Sequence, residues 1–202
     1  MWGEFIDFAK RVNFCDKFID MKLLFCFLLS SALLSLSAQN SISDTLKQQW
    51  VRDWQRAKEY TDEYLNAAPA DKYGFRPVDS IRSFAEQMLH LAAANAGLVF
   101  IGTGSKYPFA SQNFEKSPAL QNKDSVWYYV NTSYDFAIHA IQQLDFNTLT
   151  EVVTWNLPTG KRNETRLAWL LKAFEHQTHH RAQCAIYLRL MGVKPPAEKL
   201  FD

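Results

Sequence analysis

The stretch FEHQTHHRAQ, Phe174 to Gln183, places three of the chain's five histidines within five positions. On a helix, residues four apart share a face and residues three apart nearly do. The imidazoles of His176 and His180 can therefore converge on a single ion. His179 follows His176 by three positions but precedes His180 by one, so it cannot share a direction with both. The face through His180 continues to Cys184, Tyr187 and Leu188, and the face through His176 runs back to Ala173 and Trp169. His179 instead sides with Lys172 and Glu175, a wetter neighbourhood. His176 and His180 are the candidate ligands, and His179 sits at the rim, placed to act as a general acid or base.

Two imidazoles do not make a tight site, so a third ligand should come from another helix. His90, within FAEQMLHLAAANAG, is the best candidate. Its face carries Glu86 one turn earlier, then Ala93, Ala94 and Gly97. Small residues beside a histidine leave room for a close helix or for a ligand. Glu86 can orient His90 through the free ring N–H, acting as a catalytic carboxylate, or complete the coordination itself. Three neutral imidazoles suit a borderline divalent ion such as Zn²⁺ or Ni²⁺ and leave positions open for water or substrate. The H-x-x-x-H spacing lacks the glutamate of H-E-x-x-H, which excludes that protease signature.

Other polar features read more plainly. His139, four after Asp135, suggests a surface pair. Trp50, Trp54, Trp127 and Trp169 suggest packing, Cys184 a small core residue, and GKRNETR a solvated turn and helix start.

Four helical patterns must position these groups. The first spans about 43–65, with Leu46, Trp50, Trp54, Ala57 and Tyr64 near helical spacing. APADKYGFRPVDS breaks it, and a second pattern runs over 79–101 from an Asp or Ser cap towards Gly102 and Gly104. A polar loop precedes the third, over 123–144. A β-prone VVTW and a turn at Pro158 to Gly160 lead to the fourth, over 164–192, with Asn163 as its cap. Amphipathic helices in one small domain bury their stripes on one another, which predicts an all-α four-helix bundle. The long loops flanking the third helix suggest crossovers or short extra elements.

The chain has 202 residues, 48% of them hydrophobic, enough for one well-buried domain. Its 22 basic and 21 acidic residues leave a formal charge of +1, which gives no long-range field to steer nucleic acid or an anionic membrane. MKLLFCFLLSSALLSLSAQN, from Met21, has the anatomy of a secretory signal peptide with cleavage after Ala38. The expected organisation is an upstream extension over 1–20, a signal over 21–38 and the bundle over 39–202. The apolar run is short for a membrane span, so no stable membrane insertion is expected once it is removed. Cys184 would be the one cysteine left in an exported, periplasmic or extracellular protein, with no internal disulfide.

Two stretches, SFAEQMLH ending at His90 and HQTHHRAQCAIYLRLMGVKPP from His176 to Pro196, resemble the DinB family of bacterial four-helix proteins, the DinB/YfiT-like fold. RAKEYTDEYL and YGFRP are similar in position, and the resemblance covers nearly all of the chain after the signal. It implies a divalent metal, often nickel or zinc, on a second-helix histidine and a fourth-helix H-x-x-x-H pair, here His90, His176 and His180. The family's usual HHRGQ stands here as HHRAQ, with Ala182 at the glycine. Relatives in the wider fold are thiol transferases. Many others have no known reaction, so function carries over poorly. A metal that activates a bound water or thiol makes a metal-dependent hydrolase or thiol transferase acting on a small molecule the leading expectation. A non-catalytic metal-binding or sensing bundle is the alternative, and exposed helix faces could pair two copies into a homodimer.

Overall fold

The computed structural model describes residues 42–110 and 113–201. The proposed extension over 1–20 and signal over 21–38 lie outside them. Helix α1 covers 42–67, α2 Phe84–Thr103, α3 Lys123–Gln143 and α4 Arg166–Leu190. Short 3₁₀ turns at Ala70–Lys72, Pro118–Leu120 and Phe146–Thr148 punctuate the connections. The one sheet among the described residues is an antiparallel hairpin, β1 Val152–Leu157 with β2 Gly160–Thr165, between α3 and α4.

Helix ends follow local chemistry. Ser83 opens α2 with a capping box: its hydroxyl accepts from Glu86 N, and the Glu86 carboxylate accepts from Ser83 N. This box starts the helix at Phe84, five residues later than the periodicity from Asp79 suggested. Gly104 ends it with φ of 74°, its N–H returning to Phe100 O. Asn122 caps α3 through Ser125 N. The cap of α4 is Thr165, which accepts from Ala168 N. Asn163, expected in that role, belongs to β2 and sits opposite Thr154, with side-chain oxygens 2.7 Å apart. The solvated start read into GKRNETR is thus a strand, exposed for most of its length.

α2 packs against both α3 and α4. This central position explains why Phe84–Thr103 is apolar enough to pass for a membrane span: 61% of the window is buried inside the bundle. Phe84, Met88, Leu89, Leu91 and Val99 of α2 meet Trp54 and Leu65 of α1, Tyr134 and Ile141 of α3, and Leu170 and Leu188 of α4 in one core. α2 and α4 approach closely at Gly102, where a Cβ would lie 3.0 Å from Leu170 Cγ and 3.2 Å from Trp169 Cβ. Trp54 is fully buried, edge-on to Tyr134 and Phe174. Trp127 departs from its expected packing role and lies 44% exposed. His139 is exposed, and Asp135 pairs with Lys58 of α1 rather than with it. Cys184 is fully buried, and burial pushes its thiol pKa up.

Removing the capping hydroxyl exposes how much the start of α2 depends on it. Ser83→Ala should lower stability by about 1–2 kcal/mol, read as a shift in the urea midpoint at unchanged slope.

Candidate metal centre

His90, in the second turn of α2, and His176 and His180, one turn apart on α4, face one another across the seam between the two helices. Ring centroids lie 5.0 Å apart for His90–His176, 4.5 Å for His90–His180 and 4.3 Å for His176–His180. One nitrogen from each ring lies within 4.8 Å of the other two, close enough for all three to hold a single ion. The structure thus brings together the three histidines singled out by spacing.

Neighbouring acceptors decide how two of the rings present themselves. Gln87 Oε1 accepts from His180 Nδ1 at 2.9 Å, and Glu115 Oε2 accepts from His90 Nδ1 at 2.8 Å. An amide oxygen and an ionised carboxylate can only accept, so each Nδ1 carries a hydrogen, and in the neutral ring this leaves the Nε2 lone pair for a ligand. His176 is the counterpart: its buried Nδ1 has no hydrogen-bond partner among the described residues. An orphaned imidazole nitrogen beside two rings with free lone pairs is a donor set that fits a borderline divalent cation.

Glu115 was not among the residues picked out by sequence. It lies in the loop between α2 and α3, is held by Arg82 Nε at 3.0 Å on its other oxygen, and occupies the role proposed for Glu86. Burial would raise its carboxyl pKa, but the His90 hydrogen bond and the nearby charges of His90 and Arg82 prevail and hold it below the usual range. Arg82 is fixed in turn, because its carbonyl accepts from Tyr187 Oη of α4 at 2.7 Å.

Glu86 requires correction as the partner of His90. Its carboxylate accepts from Ser83 N and Arg76 Nη2, each at 2.7 Å, and from Gln121 Nε2 at 3.3 Å. Those bonds commit it to the start of α2. It does border the same cleft as His179, which is exposed as expected. Gln183 Nε2 lies 3.0 Å from His179 Nε2 and Gln183 Oε1 accepts from Gln87, so a chain of polar groups links the rim to His180.

Two cavities open onto the histidines. One, of about 630 Å³, is charged: His179 and His180 share it with Arg76, Arg82, Glu86 and Glu115. The other, of about 740 Å³, has His90, His176 and Glu115 in its wall and is otherwise mostly apolar, with Ala93, Gly97 and Trp155 among its lining.

The family model described as DinB family matches residues 40–201. The chain belongs to the DinB family. Its backbone resembles a DinB-like protein from Bacillus cereus at a TM-score of 0.63 and 18% identity, over 75% of this chain and 96% of that one. A DinB-like protein from Bacillus subtilis matches at a TM-score of 0.55 and 21% identity, over 76% and 96% of the two chains. A conserved protein from Enterococcus faecalis matches at 0.59 and 20%, over 72% and 96%. At these identities the likeness concerns the helical fold. No curated protein matches this DinB-family chain.

The crowded rings resist protonation. Burial, followed by the charges of His90 and His179, lowers His176 from 6.5 to about 4. Burial, followed by the charges of His176 and His90, lowers His180 from 6.5 to about 3. Both are neutral, and free to act as ligands, at neutral pH. In acid the unfolded chain takes up protons that the folded chain refuses. The stability these two rings contribute is therefore complete above about pH 6.5 and is lost as pH falls towards about 4–3. The urea midpoint of metal-free protein should drop more steeply between about pH 7 and pH 4.5 than that of a His176→Gln, His180→Gln variant. Equal slopes would show that the rings do not govern acid sensitivity.

Proposed function

We propose that this DinB-family protein is a metal-dependent enzyme that uses His90, His176 and His180 to hold one divalent ion, zinc or nickel, and acts on a small molecule as a hydrolase or transferase. The observation that carries the reading is the meeting of three imidazoles, one with an orphaned buried nitrogen, at the junction of two cavities. Three protein ligands leave coordination positions free, and cavities on both sides favour an open site over a closed structural one. When bound, such an ion supplies Lewis acidity and a nucleophile near neutral pH.

The chain's own residues do the rest. Glu115 and Gln87 fix the tautomers and directions of His90 and His180, and Arg82 holds Glu115 in place. His179 stands at the mouth of the charged cavity with its ring exposed, where it can take or return a proton at Nε2. Export accords with the leader-like stretch from Met21. Amino-terminal sequencing of the protein recovered outside the cytoplasm should begin at Gln39, and an intact leader in a cytoplasmic fraction would refute export.

Plasma mass spectrometry of protein purified without a histidine tag decides the central point. The parent should carry about one equivalent of metal, and a His176→Ala, His180→Ala variant that still folds by circular dichroism should carry almost none. Glu115→Gln should bind the metal about 10–100-fold more weakly, as loss of a ligand-orienting carboxylate does elsewhere. Protein that stays metal-free after incubation with zinc and nickel would refute the reading.

A further inference from the structure

The apolar cavity beside His90 and His176 has features that a mere helix seam does not need. Its floor is the α2 face of Ala93, Ala94 and Gly97, one to two turns beyond His90. A Cβ built on Gly97 would meet nothing within 4 Å, so this glycine faces open space and no helix packs on it. The opposite wall comes from the hairpin. Trp155, Asn156 and Leu157 of β1 line the cavity with Pro158 of the turn. Trp155 stands edge-on to Phe100 of α2 at 5.3 Å, and Phe100 meets Tyr107 of the following loop at 5.9 Å. A wall of aromatic rings over a strip of small side chains makes a slot for a flat or branched apolar body, and about 740 Å³ falls within the range of small-molecule sites.

The hairpin is anchored mainly at its base. Trp169 Nε1 donates to Val153 O at 3.2 Å, and Arg166 bonds Glu151 through both backbone and side chain. Trp155, farther along the ribbon, stays 38% exposed despite its size. A large aromatic left half-covered on a two-stranded ribbon, across a slot of alanines and glycine, is unsatisfied apolar surface next to a candidate reaction centre.

We propose that this slot is the substrate subsite and that it selects molecules with an aromatic or branched apolar body joined to a polar reactive group that reaches His90 and His176. The assignment rests on the metal reading of the three histidines, and the test separates the two. Zinc uptake is measured first, and the zinc-loaded protein is then titrated calorimetrically with two hydroxamates that share one metal-binding head, acetohydroxamate and 2-naphthohydroxamate. The naphthyl compound should bind at least about 10-fold more tightly, since its rings leave water for the slot. Gly97→Leu places a side chain in the open space and suits a helix better than glycine. It should keep zinc and acetohydroxamate binding while reducing the naphthyl preference to near parity. Trp155→Ala, on the exposed ribbon, should shrink the same preference and serves as the second variant. Zinc uptake with equal affinity for both hydroxamates, or a preference that survives both substitutions, overturns the subsite. Failure to take up either zinc or nickel overturns the metal reading and the subsite with it.

Discussion

Burying three imidazoles against one another between two helices is costly, and much of the structure around α2 and α4 answers that cost. A ring nitrogen withdrawn from water must find a partner, and a charged ring in this position would also face its neighbours at 4.3–5.0 Å between centroids. Gln87 and Glu115 supply acceptors for two rings, while Arg82 and Tyr187 hold Glu115 and its loop in place. The helices must also come close enough for the rings to meet. Gly102 favours this, because a Cβ there would press on Leu170 and Trp169 at 3.0–3.2 Å. The same seam leaves His176 Nδ1 unpartnered among the described residues, a cost that makes sense where a ligand supplies the missing interaction.

Holding His176 and His180 in phase requires a helix that neither bends nor turns, and a second polar cluster beneath them serves that end. Arg181, next to His180 but pointing away from it, is buried. Its Nη1 donates to Gln177 Oε1 at 2.7 Å and, at longer range, to Ala57 O and Thr61 Oγ1, while the guanidinium lies 4.7 Å over the Tyr60 ring. Tyr134 Oη donates to the same Gln177 oxygen and meets Thr61. Residues of α1, α3 and α4 thus share one hydrogen-bonded group, and directional bonds specify the rotation of α4 in a way that apolar packing alone does not. The face carrying His176 and His180 and the face carrying Gln177 and Arg181 are offset by one residue along α4.

What could be read from sequence was whatever obeys a helical period. His176 and His180 share a face by spacing, His90 stands beside small residues that prove to floor a cavity, and the four helices follow their apolar stripes. Loop residues have no such period. Glu115 is 25 positions from the ring it orients, and no local pattern connects them. Glu86 was the natural alternative because it lies one turn from His90 on the same helix, yet the capping box claims its carboxylate first: an orphaned backbone N–H at the start of α2 is nearer than an imidazole a turn away. Asn163 was mistaken for a helix cap for a related reason. Its preference for caps is local, whereas the pairing with Thr154 that places it in a strand depends on the turn at Pro158 and Thr159.

The three histidines sit on α2 and α4, which pack closely on each other, where a shift of one residue would dismantle the core. The surroundings of the site are built differently: Glu115, Tyr107 and Trp155 come from loops and a peripheral ribbon that can change without disturbing the bundle. One side of the histidine group meets a charged cavity and the other an apolar one, so a small change in either wall alters what can approach the same three rings. Rings kept by the core and walls supplied by the periphery leave the surroundings free to vary on one bundle, so membership in the DinB family specifies the fold and not a reaction.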